Sequence, residues 1–291
     1  MATETAAVPR PVTPVHVPER SIWHDIRAVK IVWQRELIRF FQDKARIISS
    51  LLQPILFLFV LGTGLSTLVS GGTSGLNLRT FLFPGVLAMS TMFTAIFSAG
   101  SIVWDREFGF LREMLVAPIR RGSIVTGKCL GGATVATLQG MIILCLAGAV
   151  GVPYDPLLMI SLIFMLLLLS FMLTGVGIVA AARMKNIQTF FAMTQVFLLP
   201  MFFLSGALYP LAGLPTWLRV LTRIDPLTYI VDPMRRAVFA HLDISPAVRS
   251  ALDPGVTWGG WHVPTALELG LVALIGLLLL GIGIAEFRRV E

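Results

Sequence analysis

The chain has 291 residues, of which 56% are hydrophobic and 13% charged. A soluble domain carries roughly 25% charged residues, so a disordered chain, a fibrous repeat and an ordinary soluble enzyme are excluded, and an integral membrane protein remains. The net charge of +7 would suggest nucleic acid on a soluble chain. Here its distribution reads as membrane orientation, and no nucleic-acid partner is expected.

Residues 1–20 are polar and carry Pro9, Pro11, Pro14 and Pro18. They lack the apolar core of a secretory signal and are expected to form a disordered cytoplasmic tail. Residues 21–45 read as an amphipathic helix. Ile22, Ile26, Val29, Trp33, Leu37 and Phe40 recur at intervals of three or four, with Arg27, Arg35 and Arg39 on the other side. Such a helix just before an apolar run is expected to lie in the membrane interface; a soluble helix packed on a partner subunit is the alternative.

Residues 46–291 hold six apolar runs long enough to cross a bilayer, at about 47–69, 80–103, 123–150, 157–182, 188–208 and 264–285. The expected fold is therefore an all-α integral membrane protein with six transmembrane helices behind an interfacial helix. Of the 23 Lys and Arg residues, 17 fall before the first run, within 104–128 around the start of the third, between the fourth and fifth, or after the sixth. The positive-inside rule then places both termini in the cytoplasm and the segment 205–263 outside. Cys129 and Cys145 share one run, too far apart along a helix for a disulfide.

The runs are poor in ionisable groups. Lys128, near a cytoplasmic end, is within snorkelling reach of the interface, and Glu268 lies near an outer end. A proton-coupled carrier needs a titratable group at mid-membrane, and a metal enzyme needs clustered ligands. Neither pattern is present. Residues 122–129, GSIVTGKC, match part of a phosphate-binding loop. They lack its final Ser or Thr and the strand that should precede it, so they read as the start of the third span. The chain is expected to be no enzyme. Gly127 and Gly131 in the same stretch form G-x-x-x-G, a spacing for close helix packing.

Two segments outside the runs carry the functional signal. The first is WDREFGFLREMLVAPIRR, residues 104–121. Phe108, Leu111, Leu115 and Ile119 make an apolar ridge flanked by Arg106, Glu107, Arg112 and Glu113, with Pro118 as a stop. This predicts a short amphipathic helix at about 105–119, docking into a groove of a soluble partner or lying on the membrane. The second is residues 202–236, FFLSGALYPLAGLPTWLRVLTRIDPLTYIVDPMRR.

Both segments resemble the ABC-2 family of exporter permeases. Arg106, Glu107, Gly109, Leu111, Met114 or Leu115, and Pro118 resemble that family's coupling-helix region, with a departure at Phe110. Ser205, Gly206, Pro210, Leu214, Pro215, Trp217, Asp225, Pro226, Tyr229 and Arg235 resemble its outer signature. The chain looks most like the daunorubicin-resistance type. The resemblance implies a permease that pairs with a second copy or a sister chain and with two copies of a separate ABC ATPase subunit. That subunit would bind ATP and Mg²⁺, leaving no cofactor in this chain, and would push on the helix at 105–119. Short re-entrant helices would follow the fifth span, as an external cap or as part of a gate. A bacterial plasma membrane is implied. The many Phe residues of the spans, such as Phe57, Phe93, Phe97, Phe171, Phe197 and Phe202, favour a hydrophobic drug or lipid-like cargo where they are not merely packing. A polysaccharide or lipid-linked glycan is the alternative, and an ion-coupled secondary transporter a distant one.

Overall fold

The computed structural model describes residues 22–64, 78–110, 114, 119–211, 213–242, 244, 255–258 and 260–289. Helix α1 spans Ile22–Gln42. Helix α2 runs over Lys44–Leu56 and continues through a π turn, Phe57–Leu61, to Gly64. Then come α3 (Leu78–Glu107), α4 (Arg121–Leu144), a 3₁₀ turn at Ala147–Val150, α5 (Pro156–Arg183) and α6 (Ile187–Leu204). Helices α7 (Thr216–Ile224) and α8 (Thr228–Ala240) precede a two-stranded antiparallel hairpin, β1 (Thr257–Trp258) and β2 (Trp261–His262). Helix α9 (Thr265–Arg289) closes the described chain. Six of these helical stretches are long and apolar enough to span a bilayer: α2 with its continuation, α3, α4, α5, α6 and α9.

Local chemistry sets the boundaries. Asp155 caps α5, its Oδ1 accepting from the amides of Leu157 (2.8 Å) and Leu158 (3.2 Å). Pro156 occupies the first helical position and Arg183 the last turn, where each is favourable. Asn186 caps α6 in the same way, through the Gln188 and Thr189 amides. In α2, Pro54 lacks the amide that an unbroken ladder needs, and the π turn follows within one turn of it.

The core is the trio α3, α4 and α5, with α9 against α5 and α4 and with α1 across α4. Small residues permit this closeness. A Cβ on Gly177 of α5 would lie 2.7 Å from Ala99 Cβ of α3, closer than van der Waals contact allows. Helices α2 and α6 stay at the periphery and expose much of their apolar surface, including Ile48, Leu52, Val60, Val196, Phe197 and Phe203.

Several expectations shift. Helix α3 runs on to Glu107, so Arg106 and Glu107 belong to the span rather than to a separate amphipathic helix. Helix α4 ends at Leu144, and the chain turns through the 3₁₀ segment and Gly151 at φ +81°. Helix α6 stops at Leu204 because Gly206 takes φ +72°. The buried face of α1 is Ala28, Val32 and Glu36, turned from the expected stripe, with Ile22 and Ile26 exposed. Residues 1–20, Leu111, Arg112, Glu113, Leu115 and Pro118 lie outside the described residues.

Candidate functional site

Two faces of the bundle are defined by its helix ends. One, the basic face, carries Arg106, Arg121, Arg183, Arg288 and Arg289. The far face carries the turn before Asp155, the α6 terminus, α7, α8, the hairpin and the start of α9.

Near the basic face, α1, α3 and α4 meet at a buried charge cluster. Lys128 Nζ lies 2.7 Å from Asp105 Oδ2, 3.1 Å from Glu36 Oε1 and 3.0 Å from Ser101 Oγ. Arg35 approaches both Asp105 oxygens, at 2.8 and 3.4 Å, and Arg39 adds a contact of 3.3 Å. Asp105 is 1% exposed, Lys128 3% and Glu36 7%. Lys128 therefore does not reach for the membrane surface as its position predicts. It stays inside because two carboxylates meet it there. The approach of α1 that brings Glu36 in occurs at Gly127 and Gly131, where Cβ atoms would stand 2.8 Å from Val32 Cβ and 2.7 Å from Glu36 Cβ. All of residues 122–129 are helical within α4, so the GSIVTGKC stretch forms no phosphate-cradling loop.

Beside this cluster opens a cavity of about 1000 Å³ between the end of α1, α2, α3 and α6. Its floor holds Glu36, Arg39, Asp105, Asp43 and Arg46; Ser50, Gln53, Ser90, Thr94, Ser98 and Gln195 give its walls hydrogen-bonding groups, and Phe93, Phe97, Phe191, Met89 and Leu199 give them apolar ones. Phe97 stacks edge-on against Phe191 at 5.3 Å and lies 5.9 Å from Phe93. The other Phe residues of the spans divide differently. Phe57 stacks on Phe202 at 6.5 Å, Phe171 packs over Gly276, and Phe197 is exposed.

At the end of α3, Arg106 Nη1 donates to the carbonyls of Ala181 (3.1 Å) and Met184 (2.6 Å), at the C-terminus of α5, where a cation is favoured. Glu107 Oε2 accepts from the Ile187 amide at the start of α6. Both side chains thus tie α3 to the α5–α6 turn. Gly109 follows at φ +82°, and Trp104, Phe108 and Phe110 are exposed around it. Arg35 Nη1 lies 3.5 Å from Met114 Sδ, linking the charge cluster to the segment at 105–119.

On the far face, Arg235 is 1% exposed. Its guanidinium stacks 4.4 Å from the Phe81 ring centroid and donates to Gly206 O at 2.5 Å. Ser205 Oγ donates to Phe202 O and accepts from the Ala207 amide. Tyr229 donates to Arg223 O (2.7 Å) and accepts from Trp258 Nε1 (3.1 Å). Arg236 bridges Asp232 (2.7 Å) and the buried Glu268. Asp225 is buried, with Oδ1 accepting from the Leu227 amide, and burial pushes its carboxyl up to about 7. The expected positions Ser205, Gly206, Asp225, Tyr229 and Arg235 thus form the packed base of the far-face segment. Pro215 precedes α7 and Trp217 is exposed on it; Pro210 and Pro226 lie in the turns on either side.

Sequence reasoning missed the pairing of Lys128 with Glu36 and Asp105, and that of Arg236 with Asp232 and Glu268. One signal was available: Glu36 continues the i, i+4 spacing of Ala28 and Val32. An acidic residue on a helix's packing face needs a buried cation opposite.

The sequence profile of the family described as ABC-2 type transporter matches residues 27–239. The match covers α1, the charge cluster, the cavity and the far-face segment through α8. The chain is 32% identical over 218 residues to nodulation protein J of Rhizobium leguminosarum bv. trifolii, covering 72% of this chain and 80% of that one. It is 30% identical over 215 residues to a putative transport permease, ycf38, of Cyanophora paradoxa, covering 72% and 73%. A probable multidrug ABC transporter permease, YbhR, of Escherichia coli K12 is 30% identical over 173 residues, covering 58% and 47%. The chain belongs to the ABC-2 type transporter family.

Proposed function

We propose that this chain is the transmembrane permease subunit of an ATP-driven exporter. The cavity is its share of the pathway for a hydrophobic drug or lipid-like amphiphile leaving a bacterial cell. The observation that carries this reading is the cavity itself, about 1000 Å³, open between two sparsely packed spans and walled by both aromatic and hydroxyl or amide side chains. An apolar body with a polar group matches that lining better than an ion does. The same hydroxyls and amides favour a lipid-linked glycan as the alternative cargo.

The basic face is cytoplasmic, with both termini on that side, and the far face is external. Helix α1 exposes Ile22, Trp23 and Ile26 beside its Arg residues, which suits the membrane interface. Two copies of a separate ABC ATPase dock at 105–119, with Arg106 and Glu107 anchoring the docking segment to α5 and α6. Leu111, Arg112, Glu113, Leu115 and Pro118 supply its partner-facing part. ATP and Mg²⁺ belong to the ATPase. Closure of the ATPase pair moves the end of α3, and the charge cluster passes that movement to α1 and α4. A second copy of the permease, or a sister chain, covers the open side of the cavity along α2 and α6. The node at Ser205, Gly206, Asp225, Tyr229 and Arg235 closes the external end.

Thr94→Trp tests the cavity. The ring would fill space beside Phe93 and Phe97 without touching the charge cluster. Export of a hydrophobic dye from vesicles should fall about tenfold, roughly 1.4 kcal/mol of barrier, while the complex still assembles. Undiminished export would place the pathway elsewhere.

A further inference from the structure

The far face holds a second, smaller pocket of about 220 Å³, between the polar edge of α7 and the β1–β2 hairpin. Its lining includes Arg219, Arg223, Thr222, Thr228, Thr257 and His262, with no carboxylate among the described lining residues. Arg219 donates to Leu214 O (3.0 Å), and Arg223 approaches Thr257 Oγ1 at 3.5 Å. Neither arginine has an ion pair with a carboxylate among the described residues. Among the described residues, Asp232 is held by Arg236 and the Val256 amide, and Asp225 accepts from the Leu227 amide. Thr228 is 1% exposed, and its Oγ1 has no hydrogen-bond partner. A buried hydroxyl without a partner is costly, and this one lines a cationic pocket.

Helix α7 shows what reaches the pocket. At 100° per residue, Arg219, Thr222 and Arg223 fall on one side, and Trp217, Leu218, Val220, Leu221 and Ile224 on the other. Most of the apolar side is uncovered among the described residues: Trp217 is 66% exposed and Ile224 72%. The hairpin adds Trp258 and Trp261, both exposed. Three exposed Trp residues around an amphipathic helix mark the headgroup level of a bilayer. On that placement the apolar side of α7 faces the acyl chains and the pocket lies on the helix's opposite, polar side. A volume of about 220 Å³ is about seven waters' share of liquid, enough for a phosphodiester group.

We propose that this pocket binds the phosphate of an anionic phospholipid of the outer leaflet, between Arg219, Arg223 and the Thr228 hydroxyl. The lipid seats the external segment on the membrane. Which leaflet supplies it rests on the orientation proposed above; the binding does not depend on transport or on an ATPase.

The test uses the full-length chain, stripped of lipid in mild detergent and titrated with phosphatidylglycerol or phosphatidylcholine under native mass spectrometry. Wild type should prefer phosphatidylglycerol. Arg219→Gln with Arg223→Gln should weaken that binding about tenfold, and Thr228→Val about threefold. Thr228→Val removes no hydrogen bond of the protein, so its lipid-free thermal midpoint should match wild type and separates lost binding from lost folding. Millimolar inorganic phosphate should leave the lipid in place. Equal retention of phosphatidylglycerol by both variants, or equal binding of phosphatidylcholine by wild type, would overturn the proposal. Displacement by inorganic phosphate would reassign the pocket to a free anion and overturn its lipid assignment.

Discussion

Lys128 stands 2.7 Å from Asp105 and 3.1 Å from Glu36, almost without water. Removing one partner of a buried pair leaves a bare charge and costs about 3–5 kcal/mol. Lys128→Met is therefore expected to destabilise the permease by about 3 kcal/mol, read as a lower thermal midpoint in detergent. Adding Asp105→Asn should recover part of that loss, since Arg39 remains to face Glu36. No recovery in the double variant would mean that the pair is not coupled. Asp225 behaves in the opposite sense. Its carboxyl sits near 7 in the folded chain, against 3.8 for the free group, because burial disfavours the charge. Between these values the folded state binds more protons than the unfolded one, so stability falls as pH rises from about 4 to 7. The slope contributed is at most about 1.4 kcal/mol per pH unit. Asp225→Asn should flatten that part of the stability profile, and an unchanged slope would assign the proton to another group.

At the scale of elements, the critical junction is the end of α3. The helix carries Asp105 into the charge cluster, Arg106 onto the α5 terminus and Glu107 onto the start of α6, and then turns at Gly109. A side chain at a φ of +82° costs roughly 1–2 kcal/mol, although a Cβ there would meet no neighbour among the described residues. Gly109→Ala should leave the bundle folded and misdirect the segment at 105–119, the docking segment of the proposed function. ATP hydrolysis by the assembled complex should then lose most of its stimulation by cargo, and full stimulation would remove Gly109 from the coupling path. The spans were legible from sequence because an apolar run of such length needs no tertiary information. Their ends were less so. Helix α3 outlasts its apolar run because Lys128 and Arg35 neutralise Asp105, and α6 stops short where Gly206 turns. The hairpin at 257–262 is two residues a strand, too short for a periodic signal. The charge cluster was hidden because Glu36 and Lys128 are 92 positions apart, and only the approach of α1 at Gly127 and Gly131 joins them.

The whole molecule joins a tight trio of helices to two loosely held ones. Helices α3, α4 and α5 pack closely together, with α1 and α9 against them. Helices α2 and α6 flank the cavity and leave one side of it open. That division suits the half-pathway proposed above, in which the tight trio would transmit movement from the basic face and the loose pair would meet a second permease. The central claim is that the driving force comes from another chain. Its most direct test is purification of the tagged full-length protein in mild detergent, with mass spectrometry of its partners. The account predicts a soluble ABC ATPase in equal proportion to the permease, lost when the segment at 105–119 is replaced by a Gly/Ser linker. A stable, transport-competent preparation without any ATPase would contradict it.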